Sequence, residues 1–351
     1  MASSRKSKVA LTGAEPILHL AARAEDAMHS FRERRARKRG HLPVVIPYTG
    51  YGTQGWIRVL GRVLLARPTA NGEARYKKIR GWRSFTSVPV NEVAVTITVA
   101  GVERHVSADR GGVVDSVIDV DLSPGWHSIS LQAENSEPVT AKIFVVDPAI
   151  RFGVVSDVDD TVMVTALPRP LLAAWNTFVL DEHARRPVPG MSVLYERLVR
   201  EHPGAPVFYL STGAWNVAPT LTRFLTRHLY PAGPLLLTDW GPTHDRWFRS
   251  GRAHKADSLK RLAREFPGVR WLLVGDDGQH DEELYTGFAA THPENVRAVA
   301  IRQLSTSEAV LAGGRALTRP DDAPERTVPW VEAPNGAGLA QQLREIGLLV
   351  N

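Results

Sequence analysis

After Pro148 the chain alternates short, continuous apolar runs with amphipathic stretches, and this alternation limits its fold more than any other feature. The runs are "FGVVSDVDD", "APVFYLST", "GPLLLTDW", "VRWLLVGDD" and "VRAVAIRQL". Helical patterns lie between them, near 191–201, 217–228, 255–265 and 281–291. A strand that is apolar on both sides needs cover on both sides, so the pattern predicts a parallel sheet with helices on its two faces. Such sheets bind ligands beyond the carboxyl ends of their strands. The charged clusters fall there: three runs end in "SDVDDT", "LSTG" and "GDDGQHDEELY", and Lys255 stands at the start of the helix before the third. A strand built for burial that ends in Asp157, Asp159 and Asp160 hands carboxylates to a site at the sheet's rim. Hard oxygen ligands at that rim suit Mg²⁺, which takes few protein carboxylates and keeps several waters.

The 351 residues exceed what one compact core usually holds, so more than one domain is expected. From about 45 to 147 the texture is that of strands: "WIRVLGRVLLA", "NEVAVTITVAG", "VVDSVIDVDL", "WHSISLQA" and "TAKIFVVD" are rich in Val, Ile and Thr. Several alternate polar and apolar residues, as half-buried strands do. A small antiparallel β-sandwich over 43–147 is the expectation. It is interrupted by a polar, basic loop at 67–85, and it contains no acid–base or nucleophilic constellation. The α/β domain is placed at 148–315. A Pro-rich tail follows over 316–351, ending in a short packed helix in "GLAQQLREIGLLV".

The net charge of +6 is confined to the first 42 residues. Ten Lys and Arg stand there against four acids (10 − 4 = 6), so the remaining residues balance. Within this arm, 15–39 reads as a helix with Ile17, Ala21, Ala24, Met28 and Phe31 along one face and "RERRARKRG" at its end. A basic amphipathic segment of this kind can lie on an anionic membrane surface, where each Lys or Arg contributes about 1 kcal/mol. The plainer reading is a helix packed on the body with a solvated basic end. Nucleic acid is the weaker partner, because no aromatic residues are interleaved with the arginines. The chain has no cysteine, which rules out disulfides and thiolate metal sites and fits a reducing, cytoplasmic setting. No apolar stretch approaches the roughly 20 residues of a membrane span. The start has a basic tip like a secretory signal, but Glu15, Pro16 and His19 break its apolar part.

The charged strand ends, in their order, resemble the haloacid dehalogenase superfamily of aspartate-nucleophile phosphatases. "DVDDT" matches its first motif, Ser211 or Thr212 the second, Lys255 the third and "GDDGQHD" the fourth. The surrounding "RPVPGM", "FYLSTGAWN", "PAGPLLLTDWG", "HKADSL" and "FPGVRWLLVGDDGQHDEELY" are similar to the catalytic domain of the actin-patch-protein phosphatidate phosphatases and their bacterial relatives. This similarity spans roughly 150–305, and it implies a haloacid-dehalogenase-like α/β fold.

The resemblance also implies roles. Asp157 would attack phosphorus to form an aspartyl-phosphate, which divides one hard displacement into two easier ones. Asp159 would protonate the leaving oxygen and then activate water. Mg²⁺ would bridge Asp157, the backbone carbonyl of Asp159 and Asp276. Asp281 would support the metal through water or position Lys255. Ser211 or Thr212 would hydrogen-bond the phosphoryl oxygens, with Ser211 preferred because it directly follows the apolar strand. Thr161 and Gly213 complete the expected substrate-binding set, and Lys255 would offset the charge of nucleophile and substrate. Asp160 reads as a turn cap. The family commonly has Ser at the position of Asp277, so this carboxylate is a departure. His254 and His280 flank the site, and His244 and Asp245 lie on the way to Lys255 without an assigned role.

The expected reaction is Mg²⁺-dependent dephosphorylation of phosphatidate or a related lipid phosphate to diacylglycerol. Leu167, Leu171, Leu172, Trp175 and Phe178 lie where this superfamily inserts a lid, and they could line an entry for acyl chains or pack on the sheet as an ordinary helix. A soluble phosphomonoester is the alternative substrate. A non-catalytic lipid- or protein-binding module is the alternative of another class, against which stands the presence of every residue type the chemistry needs.

Overall fold

The structure is a computed structural model that describes residues 30–67, 88–164, 186–238, 244–278, 280–311 and 326–350, with backbone alone at 244–250 and 311. Three expectations fall largely outside these residues: the first two-thirds of the basic arm, the polar loop at 67–85, and the apolar lid segment with Leu167, Leu171, Leu172, Trp175 and Phe178.

A helix, α1, covers 30–38 and leads into nine strands. They are β1 (Leu42–Pro47), β2 (Gly50–Thr53), β3 (Trp56–Ala66), β4 (Val88–Pro89), β5 (Ala94–Val99), β6 (Val102–Ser107), β7 (Val113–Asp119), β8 (Gly125–Ala133) and β9 (Val139–Val146). The alternation works as its period requires: in β5, Val95, Ile97 and Val99 face inward. They share one core with Ile57, Val59 and Val63 of β3, Val114 and Ile118 of β7, Ile129 and Leu131 of β8, and Ile143 and Val145 of β9. The strand pairing alone does not divide these strands into the layers of the expected small antiparallel β-sandwich. All nine strands belong to one hydrogen-bonded network, β1-β3-β2-β9-β8-β5-β6 with β4 and β7 also paired to β3. The reason is the length of β3, whose 11 residues pair with four strands and so connect what would otherwise be separate layers. One pair, β2 with β9, is parallel.

The second sheet follows the sequence pattern closely. Its strands are β10 (Phe152–Asp157), β13 (Val207–Ala214), β14 (Leu235–Thr238), β15 (Arg270–Asp276), β16 (Val296–Arg302) and β17 (Trp330–Ala333), after a two-stranded ladder of β11 (Met163–Val164) and β12 (Arg186–Pro187). Its helices are α2 (Met191–Glu201), α3 (Ala218–Arg227), α4 (His244–Glu265), α5 (Asp281–Thr291), α6 (Thr306–Leu311) and α7 (Gly336–Glu345). The order is β14-β13-β10-β15-β16-β17 with every pair parallel. Counted along the chain this is 3-2-1-4-5-6, a doubly wound arrangement, and its order reverses between β10 and β15. The segment read as a tail contributes to this domain: β17 pairs with β16, and α7 buries Leu339 and Leu343. The run "PWVEA" is too short to announce a strand by periodicity, and its neighbour β16 supplies the pairing.

The two sheets meet through aromatic side chains. Tyr51 of β2 lies edge-on to Phe208 of β13, ring centres 4.9 Å apart, and beside Phe266 just after α4. Glu265 at the end of α4 accepts hydrogen bonds from the Tyr51 hydroxyl (2.8 Å) and from Arg58 of β3 (2.6 Å). Arg261 of α4 pairs with Asp115 of β7 at 3.0 Å. Tyr48 stacks on Trp215, beyond the carboxyl end of β13, at 4.7 Å and donates its hydroxyl to the Trp215 carbonyl.

Gly153 shows how tightly β10 is packed. A Cβ there would lie 2.4 Å from the indole ring of Trp271. Gly153→Ala should therefore destabilise the protein by about 1–3 kcal/mol through overpacking, seen as a lower urea midpoint with an unchanged slope. An unchanged midpoint would mean that Trp271 has room to move.

Candidate active site

The reversal of strand order places β10 and β15 side by side, so Asp157 and Asp276, the last residues of the two strands, share one rim. Helix geometry adds the other groups. In α4, Lys255 lies on the same stripe as the buried Leu259 and Leu262, so the helix that covers the sheet turns this ammonium inward. Its Nζ lies 2.6 Å from Asp157 Oδ1 and 2.7 Å from Asp281 Oδ1. Asp281 is the first residue of α5, where a carboxylate also suits the positive end of the helix dipole. It reaches the strand because position 275 is glycine: a Cβ there would stand 2.7 Å from Asp281 Oδ2 and from the Tyr285 ring.

Asp157, Asp276 and Asp281 each offer a carboxylate oxygen, and these oxygens lie within 4.8 Å of one another. Two like charges at that distance repel by about 3–4 kcal/mol at an effective dielectric of about 20. Three carboxylates against one ammonium leave two negative charges, and Asp281 Oδ2 is buried with no hydrogen-bond partner among the described residues. Burial pushes the Asp157 carboxyl well above the usual carboxylate range; Lys255 opposes this, while Asp281, Asp159 and Asp276 add to it. Asp276 is likewise raised, by burial and then by Asp281. Burial alone would lower the Lys255 ammonium, but Asp157 and Asp281 more than offset it, and its pKa lies above the usual lysine value. A surplus of two charges on hard oxygen donors fits one divalent cation.

The other expected residues occupy supporting positions. Asp159 turns its carboxylate to Ser211, whose hydroxyl donates to Oδ2 at 3.0 Å and accepts the Gly213 N–H at 3.0 Å. Ser211 is thus engaged with an acid of the first loop, and both it and Thr161 are fully buried. The Thr161 hydroxyl donates to Asp276 Oδ2 at 3.5 Å. Thr212 accepts the Thr238 hydroxyl on its carbonyl, and its side chain lies against Gly251 of α4. Asp277 is tied into the backbone, its Oδ1 accepting the Leu304 N–H at 2.8 Å. Asp160 turns the chain with φ 57°. Burial lowers the pKa of His254. His280 precedes α5, and the side chains of His244 and Asp245 lie outside the described residues.

Sequence reasoning missed three contributors. Ser156 donates to the Asp157 carbonyl at 2.6 Å and meets the Tyr195 hydroxyl at 2.6 Å, both beneath the acidic cluster. Tyr285 of α5 donates to the Val274 carbonyl and packs where position 275 has no side chain. Arg302 ends β16 as Asp157 ends β10. A charge that terminates an apolar strand was a signal available for Arg302 too.

The fold and the cluster define a class: a doubly wound α/β domain with buried acids and one lysine at the point where strand order reverses. Residues 152–303 match the family model described as phosphatidate phosphatase APP1, catalytic domain. The chain is 26% identical over 245 residues to phosphatidate phosphatase APP1 of Saccharomyces cerevisiae, covering 66% of this chain and 41% of the yeast protein. It is 26% identical over 152 residues to an uncharacterized protein of Schizosaccharomyces pombe, covering 43% of this chain and 25% of that one. The chain thus spans less than half the length of either relative. Among solved structures, a carbohydrate acetylesterase from Xanthomonas citri aligns over 86% of this chain and 73% of its own, at 10% identity and a TM-score of 0.30. That value is too low to carry an argument.

The raised carboxyls make stability depend on pH in a defined direction. A carboxyl that titrates higher in the folded than in the unfolded chain favours folding below its unfolded pKa, near 4, and loses that contribution as pH rises through the folded pKa. In chelator, Asp276→Asn should unfold at a higher temperature than the parent protein, by a margin that widens from about pH 4 to neutrality. Added Mg²⁺ should raise the parent's midpoint more than the variant's. A margin independent of pH would show that the cluster is not strained by its own charge.

Proposed function

We propose that the chain is a Mg²⁺-dependent phosphatase that works through an aspartyl-phosphate and hydrolyses phosphatidate or a related lipid phosphate to diacylglycerol. One observation carries this reading: within the segment that matches the phosphatidate phosphatase model, Asp157 ends β10 2.6 Å from Lys255, with Asp276 and Asp281 gathered around it. The family model and the yeast relative supply the substrate class by name, and the chemistry is that of the haloacid dehalogenase superfamily which the motifs resemble.

In this reading a carboxylate oxygen of Asp157 attacks phosphorus, and the bond from phosphorus to the ester oxygen breaks. Asp159 gives its proton to the departing alkoxide, so the alcohol leaves neutral. Asp159, now a carboxylate, takes a proton from water as that water attacks the phosphorus of the acyl phosphate. Phosphate and the Asp157 carboxylate are released, and Asp159 is again an acid. Ser211 orients Asp159 through its 3.0 Å hydrogen bond. Lys255 holds Asp157 and Asp281 and places positive charge beside the phosphoryl group. Asp157, Asp276 and Asp281 would hold Mg²⁺, which when bound neutralises oxygens that would otherwise repel the phosphate.

Asp157→Asn should lower phosphate release from an aryl phosphate by on the order of 10³-fold or more, and Lys255→Met by about 10²–10³-fold. Undiminished turnover in Asp157→Asn would place the reaction elsewhere. Phosphatidate in micelles should be preferred over sugar phosphates; the reverse preference would leave a soluble phosphomonoester as the substrate.

The basic helix is the proposed contact with the membrane in which such a substrate lies. Arg32, Arg34, Arg35, Arg37, Lys38 and Arg39 of and beside α1 are exposed, Phe31 is 58% exposed, and Ala36 fixes the helix to the β-rich core. Glutamate at positions 34, 35, 38 and 39 together should abolish co-sedimentation with phosphatidylserine-containing vesicles and spare aryl-phosphate turnover. Co-sedimentation that survives those four changes would assign the helix another purpose.

A further inference from the structure

Arginine is seldom fully buried unless paired, and its guanidinium has five donors to satisfy. Arg302 ends the apolar strand β16 with its side chain 5% exposed, among the most buried charges of the domain. Its donors lead to three places. Nη2 donates to Glu308 Oε1 at 2.6 Å, Nη1 to the Asp160 carbonyl at 2.6 Å, and Nε to the Pro334 carbonyl at 3.4 Å. Glu308 is itself held, its Oε2 accepting the Ser305 N–H at 2.8 Å.

The contact with Asp160 matters because of that residue's backbone. Asp160 has φ 57°, a left-handed conformation disfavoured for a residue with a Cβ and kept only where surroundings impose it. Its N–H is bonded to the Met163 carbonyl at 2.8 Å and its carbonyl to Arg302, so both sides of the residue are fixed. The turn at Asp160 places Asp159 before it against Ser211 and Thr161 after it against Asp276. The backbone of Arg302 also reaches the other acidic loop: its carbonyl accepts the Asp277 N–H at 3.0 Å, and it stands opposite Asp276 in the pairing of β15 with β16.

We infer that Arg302 is a positioning residue of this site, which holds the Asp160 turn and so sets Asp159 and Thr161 relative to the carboxylates of β10 and β15. This rests on the phosphatase reading above. Arg302 touches no reacting atom; it joins the loop that carries the proton-transferring acid to the loop that carries Asp276, with Glu308 fixing the guanidinium's plane. A lysine could supply the charge but not the fork that serves a carbonyl and a carboxylate at once.

The test uses the full chain with Arg302→Lys, Arg302→Gly and Glu308→Gln, the last altering a partly exposed partner should the buried changes impair folding. Aryl-phosphate kcat should fall by about 10–10²-fold in Arg302→Gly, with KM within about twofold because no substrate contact is removed. Arg302→Lys and Glu308→Gln should fall between this variant and the parent. Dilute guanidinium should restore part of the lost kcat in Arg302→Gly and none in the parent, a response that a general loss of stability would not give. A kcat near the parent's in Arg302→Gly and Glu308→Gln, or a loss that guanidinium leaves untouched, would overturn the inference. Should the parent protein release no phosphate, the proposed function fails, and Arg302 is then judged by the rise in Tm on adding Mg²⁺. That rise should be smaller in Arg302→Lys and Glu308→Gln than in the parent, and equal rises would overturn the inference.

Discussion

The ammonium of Lys255, 2.6 Å from Asp157 and 2.7 Å from Asp281, is the contact on which the rest of the site depends. Carboxylates brought together out of water repel one another and lose hydration, and one buried cation is the least that can hold them. The ammonium counters only part of the charge. What remains is a strained acidic cluster that a divalent ion would relax, so the binding of such an ion and the stability of the site are parts of one electrostatic balance.

That contact is possible only because α4 is held firmly against the sheet, and the β-rich domain takes part in holding it. Glu265 and Arg261, toward the end of the helix, are bound by Tyr51, Arg58 and Asp115 of the β-rich strands. Tyr48 covers Trp215, just beyond the strand end that bears Ser211. The β-rich domain thus braces two of the elements that carry the site. The stacking and buried hydrogen bonds at this junction are more than a flexible docking appendage needs.

Hydroxyl and backbone groups hold several of the acids at the rim. Ser211 meets Asp159, Thr161 and the Gly278 N–H meet Asp276, and the Tyr195–Ser156 pair secures the carbonyl of Asp157. The hydroxyls of Ser211 and Thr161, two of those expected near a phosphoryl group, lie on carboxylates.

The strands and helices of the α/β domain could be read directly from the chain, because continuous apolar runs and a 3.6-residue stripe are local patterns that burial rewards wherever they occur. The acidic strand ends were readable for the same reason: a buried strand that stops in carboxylates has few other uses. Other features had no local trace. The joining of the β-rich strands into one sheet depends on which neighbours β3 meets, the sixth strand exists because β16 offers it an edge, and the turn of Ser211 and Thr161 toward acids is decided by side chains 52 and 115 residues away. Sequence alone determined which residue types stand at the rim. The tertiary structure decided which of them meet, since hydrogen-bond partners and shared charge arise only when distant segments are packed together and water is excluded between them.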